Sequence, residues 1–209
     1  MRLVLASNNL KKLAELQALL APAGVALVSQ GALGVDETDE PFHTFIENAL
    51  AKARHAAKHT GFASIADDSG LCVDGLGGAP GVTSAHYAQV TSPITDREGR
   101  RRVQDAANNA LLLERMQGVT DRRARYISTL AAVRSADDPE PLIAVGRWFG
   151  EILPAARGDG GFGYDPLMFI PTLGCTVAEL PAERKNMHSH RAVAAAQMLT
   201  LMRQAWQGA

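Results

Sequence analysis

The sequence predicts a mixed α/β fold, and three observations lead to this prediction. Short apolar runs alternate with helical patterns in the first half of the chain. In the second half, two strand-like segments joined by a turn interrupt the alternation. The 209 residues are 46% hydrophobic and 21% charged, which is ordinary for a globular protein. We therefore expect a mixed sheet flanked by helices rather than a purely parallel sheet.

The elements of the first half follow from hydrophobic spacing and from residues that begin or end helices. Thr44 and Glu47 match a capping box, and Gly61 matches a helix stop. The acidic pair Asp67-Asp68 is expected to end a buried strand, because both carboxylates need water, a donor or a cation. In order, the predicted elements are strand Leu3–Ala6, a helix from Leu10 to Pro22–Gly24, strand Val25–Val28, helix Thr44–Thr60, and strands Ser64–Asp67 and Leu71–Val73.

The second half is predicted to contain a loop, a polar helix, a hairpin and a final helix. The segment Asp137–Pro141 is turn-like and favours an antiparallel hairpin between the strands that flank it. No repeat, low-complexity tract or obvious linker divides the chain, so we expect one domain over residues 1–209. The predicted elements are loop Gly75–Gly81, helix Asp96–Met116, strands Arg125–Arg134 and Leu142–Ile152, and helix His188–Gln207.

Composition and charge argue against several classes of protein. The formal net charge of -1 provides no overall field to recruit nucleic acid or an anionic membrane. No apolar run approaches the roughly 20 residues of a membrane span, and the amino terminus lacks the features of a signal peptide. Cys72 and Cys175 match neither a metal-binding spacing nor a disulfide framework. We expect a cytoplasmic protein. The basic stretch Ala88–Arg102 is assigned no role, and two arginine clusters are interpreted as a solvated helix face and a loop: Arg97, Arg100, Arg101 and Arg102, and Arg122, Arg123 and Arg125.

Glu40 and the acidic pair are candidate ligands for a divalent cation. Mg²⁺ prefers few carboxylates, several waters and substrate phosphate oxygens, and scattered acids without His–Cys spacing favour Mg²⁺ or Mn²⁺ over Zn²⁺. Because side chains alternate along a strand, Asp67 and Asp68 are expected to face opposite ways. One would meet the metal and a water, and the other would bond backbone or a basic side chain. The alternatives are an exposed Glu40 and a purely structural acidic pair.

A lysine-bearing segment between the first strand and the first helix is a candidate phosphate site. Backbone amides at a helix start attract anions, and a lysine adds a full positive charge. The alternative is a plain N-cap by Asn8 or Asn9 with surface lysines. The segment consists of Ser7, Asn8, Asn9, Leu10, Lys11 and Lys12.

The glycine-rich segment Gly158–Pro166 is a candidate site for a flat base. Phe162 is expected to stack on the base, and Asp165 is expected to accept from a ring N–H. The alternative is a tight turn whose aromatic rings fill a gap in the core. Further donors for a base carbonyl or for phosphates are expected at the start of the final helix, at Lys185, Ser189, His190 and Arg191.

Six motifs in the same order resemble those of the non-canonical purine nucleoside triphosphate pyrophosphatases, also called inosine triphosphate pyrophosphatases. The resemblance spans nearly the whole chain, although many members have Glu-Thr-Gly where this chain has Glu40-Pro41-Phe42. The motifs are Leu5-Ala6-Ser7-Asn8-Asn9 with Lys12, Thr44-Phe45-Ile46-Glu47-Asn48-Ala49 with Lys52-Ala53, Ala66-Asp67-Asp68-Ser69-Gly70-Leu71, Gly77-Gly78-Ala79-Pro80-Gly81, Gly160-Gly161-Phe162-Gly163-Tyr164-Asp165-Pro166, and Ser189-His190-Arg191.

The resemblance implies a fold, a reaction and a set of site residues. The fold would be an elongated mixed β-sheet with flanking helices, with two lobes enclosing a central cleft, and the protein would be a homodimer. The reaction would be Mg²⁺-dependent hydrolysis of inosine, deoxyinosine and xanthosine triphosphates (ITP, dITP and XTP) to the monophosphate and pyrophosphate. Ser7 to Lys12 would hold the phosphates, Glu40 and Asp68 would hold the metal, Asp68 would also be the base, and Ser69 would contact substrate. The nucleotide would be framed by Phe162, Gly163, Tyr164, Asp165, Lys185, His190 and Arg191.

Two alternatives to this function remain open at the level of sequence. The first is a pyrophosphatase of the same shape that acts on modified pyrimidine or methylated nucleotides, which substrate profiling would separate. The second is a nucleotide-binding regulatory module without turnover, which pyrophosphate release would exclude. Within the resemblance, hydrogen-bond polarity predicts base choice. Asp165 would accept from N1–H while His190 or Arg191 donates to O6, and adenine would meet a mismatch at both positions.

Overall fold

A computed structural model describes residues 1–91 and 94–206 and confirms the mixed α/β prediction. Over these residues a seven-stranded sheet has the order β2-β1-β3-β4-β5-β6-β7. Strand β1 runs parallel to β2 and β3, whereas β6 runs antiparallel to β5 and β7. The strands are β1 (Arg2–Leu5), β2 (Ala26–Ser29), β3 (Ser64–Val73), β4 (Arg123–Val133), β5 (Leu142–Ile152), β6 (Met168–Ile170) and β7 (Cys175–Thr176). The helices are α1 (Leu10–Leu20), α2 (Phe45–Thr60), α3 (Arg97–Arg115), α4 (Ala182–His188) and α5 (His190–Ala205).

The chain forms two compact units, and strands β3, β4 and β5 contribute residues to both. The first unit consists of Met1–Ser69, Ile127–Arg147 and His188–Ala209, and the second consists of Gly70–Tyr126 and Trp148–Met187. None of the helices in the described part of the chain combines the length and apolar character that crossing a membrane requires.

The first unit has two hydrophobic clusters, which lie on opposite faces of its strands. Ile65 belongs to the cluster formed with α1 and α5, and the next residue, Ala66, belongs to the cluster formed with α2. The same alternation sends Asp67 towards the α1 and α5 side and Asp68 towards the α2 side. Fully buried members of the two clusters include Leu16, Leu20, Leu130, Ala194 and Met198 in the first and Ala49, Ala53, Ala56 and Ala131 in the second.

The second unit is built around one face of α3. Leu112 and Met116 of this helix pack with Tyr126 of β4 and Trp148 of β5. The cluster also includes one residue within the glycine-rich segment and four that follow it, which ties that segment to the core of its unit. These are Tyr164, Leu167, Met168, Ile170 and Val177.

The predicted helix boundaries are confirmed for α1, α2 and α3. Asn9 caps α1, and Gly61 ends α2 in the left-handed conformation at φ 71°. The capping box at α2 is only partly as predicted. Thr44 Oγ1 accepts from the Glu47 backbone N–H at 3.2 Å, but the Glu47 carboxylate accepts from the Thr44 hydroxyl at 2.7 Å, not from its backbone.

One prediction of secondary structure was wrong, and three elements were missed. Strand β3 runs without interruption from Ser64 to Val73, so the acidic pair lies inside the strand rather than at its end. The short strands β6 and β7 were not predicted. Helix α4 was not predicted either, whereas the predicted final helix corresponds to α5, which the Ser189 hydroxyl caps from an extended conformation. Strands β4 and β5 are neighbours, as the predicted hairpin requires, while Gln207 at the predicted helix end and Ser92-Pro93 of the basic stretch lie outside the described residues.

Candidate active site

In the first unit, Lys52 joins two carboxylates that the sequence predicts as metal ligands. Its ammonium group lies 2.8 Å from Asp68 Oδ1 and 3.1 Å from Glu40 Oε2. The Lys52 and Asp68 side chains are 10% and 6% exposed, whereas that of Glu40 is 44% exposed. Lys52 was not predicted as a site residue. The signal was its position on the apolar face of α2, in register with the buried residues Ala49, Ala53 and Ala56.

The electrostatic environment gives the two carboxyl groups different proton affinities. Burial raises the pKa of Asp68 to about 6, and a hydrogen bond shared with the Glu40 carboxyl acts in the same direction while Lys52 opposes it. Burial also acts to raise the pKa of Glu40, but the positive charge of Lys52 and the shared hydrogen bond leave that pKa below its ordinary value. Asp68 is therefore the carboxyl group of the pair that takes up a proton more readily.

One atom of Asp68 fits the requirement for a cation ligand. Asp68 Oδ2 is buried and has no hydrogen-bond partner among the described residues, and a buried carboxylate oxygen in this state is costly unless a cation or donor reaches it. Within residues 1–91 and 94–206, no group of three or more His, Cys, Asp or Glu side chains is arranged to hold a metal ion. Mg²⁺ is usually bound by one or two carboxylates together with waters and substrate phosphate oxygens, not by protein ligands alone. The pair Glu40 and Asp68 therefore fits Mg²⁺.

Asp67 faces away from Asp68 and is the centre of a buried polar network. Its Oδ1 accepts from the Ser128 hydroxyl at 2.7 Å, and its Oδ2 accepts from Ser69 Oγ and Arg191 Nε, both at 3.1 Å. Lys12 Nζ also lies 3.1 Å from Oδ2. Burial alone would raise the pKa of Asp67, but Lys12 and Arg191 hold that pKa far below its usual range. The Asp67 carboxylate therefore stays ionised and forms ion pairs with Lys12 and Arg191.

Arg191 occupies the same network through all three of its nitrogens. Besides Asp67, its guanidinium donates to Glu15 Oε2 at 2.7 Å and to Ser69 Oγ at 2.8 Å. The Arg191 side chain is 3% exposed, and the neighbouring His190 is also buried. The structure thus places Arg191 in an ion network of the first unit, with bonds to a residue predicted to contact substrate.

The predicted phosphate-binding segment forms the capped N-terminus of helix α1. Asn9 Oδ1 accepts from the backbone N–H groups of Lys11 and Lys12 at 3.1 and 3.3 Å, and Ser7 Oγ accepts from the Asn9 N–H at 3.1 Å. The N-cap that the sequence offered as an alternative is therefore present. Leu10 and Lys11 are exposed, whereas Lys12 is half-buried, and burial lowers the pKa of Lys12 although Asp67 opposes this change.

Asn8 connects this segment to Gly31 and Glu37, which precede Glu40 in the sequence. Its Oδ1 accepts from the Gly31 N–H at 2.8 Å, and its own N–H donates to Glu37 Oε1 at 3.0 Å. A Cβ atom at Gly31 would clash with Asn8 Oδ1, so a larger residue there would displace the Asn8 side chain from this bond.

In the second unit, Asp165 holds the glycine-rich turn together. Its Oδ1 accepts from the Tyr126 hydroxyl at 3.0 Å, and its Oδ2 accepts from the Phe162 N–H at 3.0 Å and from Lys185 Nζ at 2.9 Å. Lys185 Nζ also lies 4.5 Å from the centroid of the Phe162 ring. Lys185 lies on α4, not on the final helix as predicted. Phe162, Asp165 and Lys185, which the resemblance assigns to the nucleotide site, are thus neighbours in the second unit.

Tyr164 and Gly163 complete the turn. Tyr164 is buried and donates its hydroxyl to the Ser84 carbonyl at 2.8 Å. Burial raises the pKa of Tyr164, so the hydroxyl remains a neutral donor. Gly163 has φ 62°, a conformation that favours glycine.

Comparison with known proteins gives one consistent family. The model of the Ham1 family matches residues 3–201. A curated relative from Methylibium petroleiphilum is 68% identical over 206 residues, which cover 99% of both chains. Another from Leptothrix cholodnii is 66% identical over 209 residues, again covering 99% of both. Each of these two relatives is named dITP/XTP pyrophosphatase.

Solved structures agree with these sequence relatives. A HAM1 protein from Coxiella burnetii has a TM-score of 0.85 at 40% identity and covers 98% of this chain and 100% of its own. The Ham1 protein of Staphylococcus aureus has a TM-score of 0.81 at 32% identity, covering 98% and 99%. The similarity extends over both units of the chain.

Proposed function

The chain belongs to the Ham1 family, and from this premise we propose that it hydrolyses dITP, XTP and ITP to the corresponding monophosphate and pyrophosphate. The reaction cleaves the α–β phosphoanhydride bond and removes these nucleotides from the pool. The observation that supports this proposal most directly is the buried Asp68 carboxylate beside Glu40, in a chain whose full-length relatives are named dITP/XTP pyrophosphatases.

Glu40 and Asp68 would hold a Mg²⁺ ion, with Mn²⁺ as a possible substitute. When bound, the ion would neutralise charge on the phosphate oxygens that it contacts. Lys52 already places a positive charge between these two carboxylates, 2.8 Å from Asp68 and 3.1 Å from Glu40. The ammonium limits the repulsion between the carboxylates before substrate arrives.

Asp68 would act as the general base. Before a cation binds, a carboxyl group with a pKa of about 6 is largely ionised at neutral pH, yet it is more basic than an ordinary aspartate. The water oxygen forms a bond to phosphorus, its proton passes to Asp68, and the bond from phosphorus to the bridging oxygen breaks. Pyrophosphate and the monophosphate then leave, and Asp68 returns its proton to solvent.

The residues predicted to bind substrate divide between the two units. We propose that Lys12, with the segment from Ser7 to Lys11, binds the phosphates, and that Ser69 is oriented by Arg191 and Asp67 for the same purpose. In the second unit, the turn from Phe162 to Asp165 would bind the base, with Lys185 beside it. The position of Arg191 supports a role in orienting Ser69 more than a role in reading the base.

Pyrophosphate release across a panel of nucleoside triphosphates tests this function. The panel contains dITP, XTP, ITP, the four ordinary ribonucleotides, a methylated purine and a modified pyrimidine nucleotide, each with and without Mg²⁺. We expect efficient release only from dITP, XTP and ITP, and only with a divalent cation. Preference for a modified pyrimidine or methylated nucleotide would replace this substrate assignment, and binding without release would identify a regulatory module.

The remaining expectations about the whole protein are part of this proposal. A single catalytic domain over residues 1–209 is supported by a family match that spans residues 3–201 and so includes most of both units. The homodimer is inferred from the resemblance alone, and sedimentation analysis would test it. The cytoplasm is proposed as the location because it holds the nucleotide pool, and nucleic acid and membranes are not expected partners.

A further inference from the structure

Helix α3 holds both backbone polar groups of one residue, Gly163, in the glycine-rich turn. The Gly163 N–H donates to Asp105 Oδ2 at 2.9 Å, and the Gly163 carbonyl accepts from Asn109 Nδ2, also at 2.9 Å. Asp105 and Asn109 are one helical turn apart, so they lie on the same face of α3. A single helix face therefore fixes the backbone of the residue that follows Phe162.

The same face of α3 also binds the backbone at Ser84, which contacts the turn through Tyr164. Asn108 is 2% exposed and donates to the Ser84 carbonyl at 3.2 Å. Tyr164 donates to that same carbonyl at 2.8 Å. The turn is thus attached to α3 directly through Gly163 and indirectly through Ser84.

Within the described ranges, Asn109 has an unsatisfied buried oxygen, which destabilises the fold and indicates a role other than packing. Its Oδ1 is buried and has no hydrogen-bond partner among the described residues, while its Nδ2 is used on Gly163. Buried unsatisfied oxygens are uncommon in native proteins and are often retained where function needs the geometry. The Asn109 side chain is thus oriented to donate to the Gly163 carbonyl, at the expense of a hydrogen bond to its own Oδ1.

The turn needs external support because its backbone is unusual. Gly161 and Gly163 have φ 73° and 62°, and a Cβ atom at Gly161 would clash with the Asp165 carboxylate. Ordering such a turn is costly, because glycines lose more conformational entropy on ordering than other residues. The direction of the Phe162 ring depends on this backbone.

We propose that Asp105 and Asn109 are positioning residues for base binding, which act by holding the backbone of Gly163 and so the Phe162 ring. This inference rests on the proposed function, because it assigns the Phe162 turn to the base of the nucleotide. It also gives α3 a role that its polar sequence did not reveal. A positioning role predicts weaker binding of nucleotides without a change in the chemical step.

Kinetics of Asp105→Ala, Asn109→Ala and the conservative variant Asp105→Asn would test this role. We expect the KM for ITP to rise about tenfold in each alanine variant, the scale of one lost hydrogen bond, with kcat within about twofold. Asp105→Asn retains an acceptor and should lie between the wild type and Asp105→Ala. The control is Asp121→Ala, which removes an exposed carboxylate paired with Arg123 in the same unit and should leave KM unchanged.

Two binding measurements separate a local effect from general loss of structure. Inosine monophosphate, titrated by calorimetry, should bind about tenfold more weakly to the alanine variants. Tripolyphosphate, which has no base, should inhibit them as it inhibits the wild type. Equal weakening of both probes, unchanged inosine monophosphate binding, or a loss confined to kcat would each overturn the proposal. If Asp105→Ala does not fold, Asp105→Asn and Asn109→Ala give the same contrast.

The test remains valid if the proposed reaction is wrong. A wild-type protein that binds inosine monophosphate but releases no pyrophosphate would refute the proposed function, while the titrations would still decide the role of Asp105 and Asn109. A wild-type protein that hydrolyses ITP normally while both variants keep its KM would refute only the positioning role.

Discussion

The Lys52 ammonium donates to the Asp68 carboxylate at 2.8 Å, and both side chains are almost completely buried. The pair uses only one oxygen of Asp68, because Oδ2 has no partner in the described part of the chain. This arrangement neutralises the carboxylate in part and leaves its second oxygen for a cation or a proton. The proposed catalytic role of Asp68 follows from that asymmetry.

Replacement of Asp68 by asparagine should abolish nearly all activity. The variant keeps the size of the side chain but removes the charge that binds metal and accepts the proton. A general base typically contributes about 10²–10⁴-fold, and weaker metal binding should add to this loss. The measurement is kcat/KM for ITP at saturating Mg²⁺. Near-normal turnover would contradict the assignment of Asp68 as the base.

The same variant should be more stable than the wild type at neutral pH when no divalent cation is present. The pKa of Asp68 is raised from 3.8 to about 6, so the folded state binds the proton more tightly than the unfolded state. Stability from this group is present at low pH and is lost as the pH rises through about 6. Lys52 keeps Glu40 as a partner at 3.1 Å in the variant. The free energy of unfolding of Asp68→Asn relative to the wild type should therefore rise by about 1–3 kcal/mol as the pH increases through about 6, since one pKa unit corresponds to about 1.4 kcal/mol.

Urea denaturation in a chelator between pH 4 and pH 8 would measure this difference. Asp121→Asn, which alters an exposed carboxylate in the other unit, is the matched control and should show no such trend. A variant that is less stable than the wild type at every pH would show that the Lys52–Asp68 pair stabilises the fold more than burial of Asp68 costs.

The sequence predicted the long elements well and missed those that depend on distant partners. Helices α1, α2 and α3 carry local signals in their caps and spacing, so their ends were predictable. Strand β3 was wrongly divided at its acidic pair because local reasoning assigns such acids to solvent or metal. The strand continues because Asp67 meets Lys12 and Arg191, which lie 55 and 124 residues away along the chain.

Other errors have the same origin. Strands β6 and β7 contain three and two residues, too few to show a periodic pattern, and pairing with neighbours alone defines them. Lys52 is a single lysine in an alanine-rich helix face, and its importance appears only when Glu40 and Asp68 are placed around it. Residues whose role depends on partners far along the chain are those that sequence patterns cannot assign.

Substitution of Lys12 by alanine should weaken the use of every triphosphate by a similar factor. Its ammonium is held by Asp67 at 3.1 Å, and a phosphate contact acts on substrates without regard to the base. The measurement is kcat/KM for dITP, XTP and ITP, with Lys58→Ala in the last turn of α2 as a surface control. A change in the order of preference among the bases would contradict a phosphate role.

Substitution of Asp67 by asparagine should destabilise the first unit strongly. The change leaves the buried Arg191 and the half-buried Lys12 without their shared carboxylate, and breaking a buried ion pair typically costs about 3–5 kcal/mol. Because Lys12 and Arg191 depress the pKa of Asp67, its contribution is present above the unfolded pKa near 3.8 and is lost as the pH falls below that value.

Chemical denaturation at several pH values would test this prediction. The deficit of Asp67→Asn relative to the wild type should be constant above about pH 4 and should shrink in more acidic solution. The exposed substitution Asp121→Asn should change the free energy of unfolding by no more than about 0.5 kcal/mol. A deficit that does not depend on pH would mean that packing, not charge, makes Asp67 important.

The base preference should follow from hydrogen-bond polarity at the Asp165 turn. Hypoxanthine, xanthine and guanine carry an acceptor at O6 and a donor at N1–H, whereas adenine presents the reverse. Three protein donors use the Asp165 carboxylate, and a carboxylate has about four acceptor positions, so one remains for N1–H. A site built for particular buried bonds rejects a substrate that lacks them by about 10⁴–10⁵-fold. The wild type should therefore discriminate strongly against ATP.

Guanine satisfies both bonds, so its exclusion requires a donor or a tight wall facing C2, where guanine alone carries an amino group. Stacking on Phe162 helps every purine alike and adds no discrimination. Competitive assays with ITP, GTP and ATP measure the ratios of kcat/KM among these nucleotides. Asp165→Asn should reduce the ratio of kcat/KM for ITP to that for ATP, because an amide can donate to adenine N1. Asp105→Asn is the control, since it should weaken both nucleotides equally and leave the ratio unchanged. Ready hydrolysis of ATP by the wild type, or an unchanged ratio in Asp165→Asn, would show that polarity at Asp165 does not select the base.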